Sequence, residues 1–177
     1  MIKNNKPRVL FDGNEFICEN NDLSRKLYSS GFGVDNEFGG INFSCYEAVF
    51  LYEKKRVEIF DSKSKPIEYE KLFAALSRKV KDFRAKFLVF RDLSIRGYRV
   101  KTGLKFGGDF RVYDKGKSVN DVHARWVVYV TRENKRFSWH EFASKNRVAH
   151  STRKKVLIAI VDEELNVSYY EVKWTKV

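Results

Sequence analysis

Apolar positions in the first eighty residues come in short runs broken by turn residues. In RVLFDGNEFIC (8–18) two apolar stretches flank Asp12-Gly13, which predicts a β-hairpin with that pair in its tight turn. Ser44 and Glu47 stand three apart before an apolar segment, a capping box that opens a helix through CYEAVFLYEKK, followed by a short strand, VEIF. Beyond the turn DSKSKP, apolar residues in EYEKLFAALSRKV recur at helical spacing.

The second half has longer elements. Phe83, Phe87, Val89, Phe90 and Leu93 fall on a helix from about Asp82 to Ile95, with Gly97 placed to end it. YRVKT, DFRVYD and RWVVYVT then read as strands, and Ser138 with Glu141 caps a helix that runs to about Thr152. VLIAIVD has the unbroken apolar character of a buried strand, and VSYYEVKW is the last strand. The expected fold class is α+β: a small N-terminal α/β domain over 1–82 and a C-terminal mixed-sheet domain over 83–177. Trp126 and Trp139 are expected to pack in the core.

Composition agrees with a folded chain, since 43% of the 177 residues are hydrophobic and 15% aromatic. The longest apolar run, Val156 to Val161, is far short of the ~20 residues that span a bilayer. MIKNNKPRVLFDG lacks the apolar stretch of a secretory signal, so the expected location is the cytoplasm. Cys18 and Cys45 are expected to be reduced.

Charge adds a partner. The chain carries +12, and the excess is lopsided: residues 1–83 hold 14 basic and 13 acidic side chains, residues 84–177 hold 21 and 10. Positive charge concentrated in one half points to a polyanion there. With no basic amphipathic helix to lie on a membrane, nucleic acid is the better partner.

Several chemistries lack their parts. His123, His140 and His150 have no zinc-ligand spacing, and GLKFGGDF has neither the Walker nor the dinucleotide pattern. A magnesium nuclease needs clustered carboxylates with a nearby lysine, and Asp162, Glu171 and Lys173 form one candidate set. The plainer view makes Asp162-Glu163-Glu164 an acidic turn and Glu171/Lys173 a solvated strand face. RNA also offers a metal-free route, in which its 2′-hydroxyl attacks the adjacent phosphate with help from a base, an acid and a cation. The basic half holds such groups in Tyr113, His123 and Lys154, with Arg111 and Lys115 as further positive charge. Composition alone does not select them: each also fits as a strand aromatic, a loop histidine and a helix-end lysine.

A resemblance is more selective. RDLSIRGYRVKTGLKFGGDFRVYDKG, His123 and RVAHSTRKKVLIAIVD follow one another as do the blocks of the archaeal tRNA-splicing endonuclease family, over about Arg91 to Val177. The first block resembles that family's R-G-[YF]-x-[VL]-K-x-G-x-K-[YF]-G-x-D-F-x-x-Y pattern, and the last its R-V-A-x-S-x-x-K-K segment. The resemblance implies a restriction-endonuclease-like C-terminal domain, with Tyr113 as general base, His123 as general acid and Lys154 as transition-state stabiliser. Lys155 would then face elsewhere.

It further implies intron excision from precursor tRNA at a bulge-helix-bulge, leaving a 2′,3′-cyclic phosphate and a 5′-hydroxyl with no metal or other cofactor. Arg147 would stack on an extruded base, with Trp174 as the candidate second half of that clamp. Two cleavage sites related by pseudo-two-fold symmetry call for a symmetric assembly, a homotetramer or a pairing of two catalytic with two non-catalytic subunits. Asp162, Glu163 and Glu164 stand where the family has a subunit-assembly loop, and YYEVKW is a candidate dimer strand. A non-catalytic assembly subunit on the same fold is the alternative, though this chain has all three triad residues.

Overall fold

The computed structural model describes residues 6–116 and 123–175. The chain falls into two compact units, Met1–Lys81 and Asp82–Val177, each with a mixed five-stranded sheet. Among the described residues there are five α-helices, and none is long and apolar enough to cross a membrane.

The first unit opens with the expected hairpin, β1 (Arg8–Phe11) and β2 (Phe16–Cys18). The Asp12 carboxylate accepts hydrogen bonds from the backbone N–H groups of Asn14 and Glu15, and Gly13 takes a φ of 102° that favours glycine. The unit continues through α1 (Asp22–Ser29), β3 (Val34–Asp35), β4 (Ile41–Phe43), α2 (Cys45–Glu53), β5 (Glu58–Asp61) and α3 (Tyr69–Lys79). Its sheet order is β3-β4-β2-β1-β5, with only β1 and β5 parallel. Val9, Phe16, Cys18, Ile41, Phe43 and Ile59 alternate onto one buried face. The Ser44–Glu47 capping box is complete, and the second Glu47 oxygen accepts from the Gly33 backbone, so this buried carboxylate also ties α2 to the loop before β3.

The second unit comprises α4 (Phe83–Ile95), β6 (Arg99–Thr102), a 3-10 turn (Leu104–Phe106), β7 (Phe110–Tyr113), β8 (Trp126–Arg132), α5 (Trp139–Ser151), β9 (Lys155–Val161) and β10 (Val167–Val172). Strand order is β10-β9-β8-β7-β6, antiparallel except for β8 and β9, which α5 connects as a parallel pair. Gly97 has a φ of 88°, and the Tyr98 N–H returns to the Leu93 carbonyl, closing α4 as predicted.

The two sheet faces differ. Phe110 on one face meets Phe90 of α4, and Trp126 on the same face meets Tyr98. Val127, Tyr129 and Val156 on the other form a core with Ala149 of α5, to which Phe106 is added. Trp126 packs as expected. Trp139 does not: it is 83% exposed at the first position of α5. Helical periodicity at that position was compatible with either side, and the structure turns Ala149 and Asn146 inward instead.

GLKFGGDF is a turn that must pass close to the sheet. A Cβ on Gly103 would lie 2.8 Å from the Phe110 carbonyl carbon, and one on Gly108 would lie 2.4 Å from Val127 Cγ1. Neither position has room for a side chain. Asp109 fixes the turn further, accepting from the Val130 N–H at 2.8 Å and pairing with Lys86 at 2.9 Å.

Candidate active site

Strand register brings the candidate catalytic segments to one end of the second sheet. Val112 pairs with Trp126, and Trp126 with Lys155, so one row crosses β7, β8 and β9. One step beyond that row stand Tyr113, the last residue of β7, and Lys154, the residue before β9. The backbone bonds Arg125 N–H to Val112 O and Lys155 N–H to Arg125 O extend the ladders to this edge. His123 enters the same edge three residues before β8 and is exposed. Tyr113 is buried, at 4% exposure, and Lys154 is half-buried. Residues 117–122, between Tyr113 and His123, lie outside the described residues.

Alternation along the strands sends neighbouring residues to opposite faces. Arg111, Val127 and Val156 share the α5 face, and so do Tyr113 and Lys154, two residues removed from Arg111 and Val156. Lys155 turns the other way, with Nζ 3.0 Å from the Glu171 carboxylate. The two lysines of the pair therefore have separate surroundings.

The end of α5 aims Lys154. Arg153 N–H donates to the His150 carbonyl and Lys154 N–H to the Ala149 carbonyl, the paired bonds of a Schellman motif, with Thr152 as C-cap. The left-handed position, usually glycine, is Arg153 at a φ of 55°. Lys154 Nζ then donates to the Thr152 carbonyl at 2.8 Å and sits 4.6 Å from the centre of the Phe106 ring. Arg111 lies over the same ring at 5.1 Å and donates from Nε to the Thr102 carbonyl. Burial, and then the nearby Arg111 charge, hold the Lys154 pKa below the usual lysine value. An ammonium that releases its proton more readily is a stronger hydrogen-bond donor to a developing oxyanion.

A groove of about 650 Å³ opens beside it, lined by His150, Arg153, Lys154, Lys155, Lys173 and Trp174 among others. Arg153, Lys154, Lys155 and Lys173 make the groove cationic. Trp174 lies past the end of β10, 59% exposed, with its ring centre 4.8 Å from that of His150. Arg147 is exposed one turn before His150 on α5. Arg147 and Trp174 thus come to the same end of that helix. Sequence spacing offers His150 no zinc-ligand partner, and its ring contact with Trp174 spans 24 residues of chain. Phe106 is likewise unmarked by its residue type. The one trace of it in the sequence is the aromatic position of the K-[YF]-G block.

The alternative carboxylate set does not converge. Asp162 follows the β9 end of the β9–β10 ladder, while Glu171 lies close to its other end, paired with Leu157. Asp162 accepts from the Asn166 backbone at 2.7 Å and closes its own turn. Glu171 accepts from the Trp126 indole at 2.7 Å and pairs with Lys155, and both interactions lower its pKa, the indole first. Lys173 is 3.7 Å from Glu171. Among the described residues no three His, Cys, Asp or Glu side chains group to hold a metal ion. Glu163 and Glu164 are exposed at the tip of the β9–β10 turn.

Comparison with known proteins places this arrangement in a family. Residues 8–73 match the N-terminal domain, and residues 83–169 the catalytic C-terminal domain, of tRNA intron endonucleases. The chain is 37% identical over 164 residues to a tRNA-splicing endonuclease of Thermococcus onnurineus, covering 93% of this chain and 94% of that one. It is 42% identical over 156 residues to that of Thermococcus kodakarensis, 88% of each chain. With that of Saccharolobus islandicus the identity is 33% over 181 residues, 96% of this chain and 98% of the relative. Two matched domains in the family's order, and identity running through nearly the whole length, establish that the chain belongs to the tRNA intron endonuclease family.

Proposed function

We propose that the chain excises introns from precursor tRNA, cutting at a bulge-helix-bulge by metal-independent attack of the RNA's own 2′-hydroxyl. Tyr113 takes the 2′-hydroxyl proton, the 2′-oxygen bonds to phosphorus, and the bond from phosphorus to the 5′-oxygen breaks as His123 protonates that oxygen. Lys154 donates to the phosphorane oxygens. The products are a 2′,3′-cyclic phosphate and a 5′-hydroxyl, with no water consumed in the step.

The observation that best supports this reading is the shared sheet edge: Tyr113 ends β7, His123 leads into β8, and Lys154 leads into β9 beside Arg111. A cationic groove with an exposed arginine and an exposed tryptophan nearby suits an unstacked base, which is how RNA loops and bulges are recognised. Arg147 and Trp174 are assigned as that clamp. Two cuts per intron need two active sites, so the working form is a symmetric assembly, a homotetramer or an α2β2 pairing, with Glu163 and Glu164 on the subunit-assembly loop and Asp162 shaping its turn.

The substrate assignment is tested with two precursor RNAs, one with the bulge-helix-bulge intact and one with the bulges paired into continuous duplex. Cleavage of the first at both exon–intron junctions, with the second uncut, is expected. Equal cleavage of both would overturn the bulge requirement.

A further inference from the structure

Trp139 is a large aromatic that the core leaves out. Its ring is 83% exposed, and its one flank is fixed by an edge-on contact with Phe142, 5.8 Å between centres and 88° between planes. Such a ring is held in place yet open on a face. It stands on the outward side of α5 with Ala143, Arg147 and His150, all exposed, at spacings of four, four and three. Eight residues of helix separate Trp139 from Arg147, about 12 Å along the axis.

The surroundings are cationic. Lys135, Arg136 and His140 are exposed beside the start of α5, and Arg147 follows on the same stripe. Two carboxylates also lie there, each tied down by hydrogen bonds: Glu141 in the capping box with Ser138, and Glu133 accepting from the Glu163 backbone. Lys145 lies over Tyr129 at 4.6 Å and Phe137 at 5.7 Å, underneath the stripe rather than on it. An exposed indole among cations, continuous with the groove at the far end of the same helix, is the composition of a single-strand stacking surface.

We propose that Trp139 is a stacking platform for an unpaired nucleotide of the RNA substrate, on the α5 stripe about 12 Å from the base held at Arg147. This rests on RNA being the substrate. A duplex arm would need only the phosphate contacts, whereas a fixed indole face is of use to a base out of its stack. The lysine and arginine neighbours bring the strand to the helix, and the ring then adds affinity with little dependence on which base it meets.

The test is binding of an intact bulge-helix-bulge RNA carrying 2′-deoxynucleotides at the two scissile positions, which keeps it whole during measurement. Trp139→Ala is expected to weaken binding about tenfold, and Trp139→Phe to retain most of the affinity. The salt dependence should stay at the wild-type slope, because no phosphate contact is lost. Thermal unfolding should be unchanged for both variants, since the side chain lies outside the core. Affinity within twofold of wild type for Trp139→Ala would overturn the proposal. So would a smaller assembly by light scattering in that variant, which would make the ring a protein contact. Cleavage of the all-ribose RNA by wild type is scored separately. Binding without cleavage would overturn the reaction while leaving the platform in place, and no RNA binding by wild type would overturn both.

Discussion

The Lys154 ammonium lies 4.6 Å from the centre of the Phe106 ring, held there by a hydrogen bond to its own chain two residues back. The ring gives a cation a favourable seat without neutralising it, unlike a carboxylate. Phe106 is itself fixed by a turn whose glycines press against Phe110 and Val127. Lys154→Ala should lower kcat by about 100-fold or more with little change in KM, because a donor to the transition state is lost. Phe106→Leu should cost about fivefold in kcat, and Phe106→Tyr should restore most of it. Equal losses for Leu and Tyr would show that shape, and not the ring, matters.

The same lysine sets a pH limit. Burial and Arg111 both disfavour its charged form, so kcat should fall on the alkaline side at a pH below the ordinary lysine value of about 10.4. Arg111→Met removes one of the two causes and should move that limb upward. A limb that stays fixed in this variant would assign it to another group.

Arg153 holds a left-handed φ of 55° at the end of α5, where glycine is at ease. Arg153→Gly should therefore stabilise the fold by about 1 kcal/mol. It also removes a cation from the groove, so RNA affinity should fall as stability rises. Chemical denaturation and RNA binding on the same variant measure the two opposed effects.

Glu171 couples pH to stability. Its pKa is depressed in the fold, by the Trp126 indole first and Lys155 second. Such a carboxylate adds stability above the unfolded-state value of about 4.3, and that stability is lost as pH falls through the lower folded value. Denaturation midpoints should drop for wild type as pH falls below about 4.3, and Glu171→Gln should flatten that part of the drop. A variant as acid-sensitive as wild type would show that other carboxylates carry the effect.

Much of the fold was legible because its signals are local. The Ser44–Glu47 and Ser138–Glu141 boxes each announce a helix within four residues, and both form. The Asp12-Gly13 turn and Gly97 stop act over similarly short distances. α1 went unseen because its capping pair, Asn21 and Ser24, uses a serine where the usual signal is an acid or amide. β3 and β4, of two and three residues, carry too few positions to show a period.

The site was less legible, since it is made by pairing across strands. Nothing within YDK or RKK says that β7 and β9 flank β8 with their ends in one row; the resemblance named Tyr113, His123 and Lys154 where composition left them open. The Phe106–Lys154 contact joins residues 48 apart, and His150–Trp174 joins two more across a strand hairpin. Trp139 shows the converse. Its helix was predicted correctly, but which side it would take was not decided by periodicity in a segment both aromatic and basic.

Metal-free transesterification is decided by cleavage of an end-labelled bulge-helix-bulge RNA by the purified chain in excess EDTA, with the product ends identified. Two cuts leaving 2′,3′-cyclic phosphates and 5′-hydroxyls are expected at an unchanged rate, with loss of both cuts in His123→Ala. Products ending in 5′-phosphate, or cleavage abolished by EDTA and restored by magnesium, would contradict it.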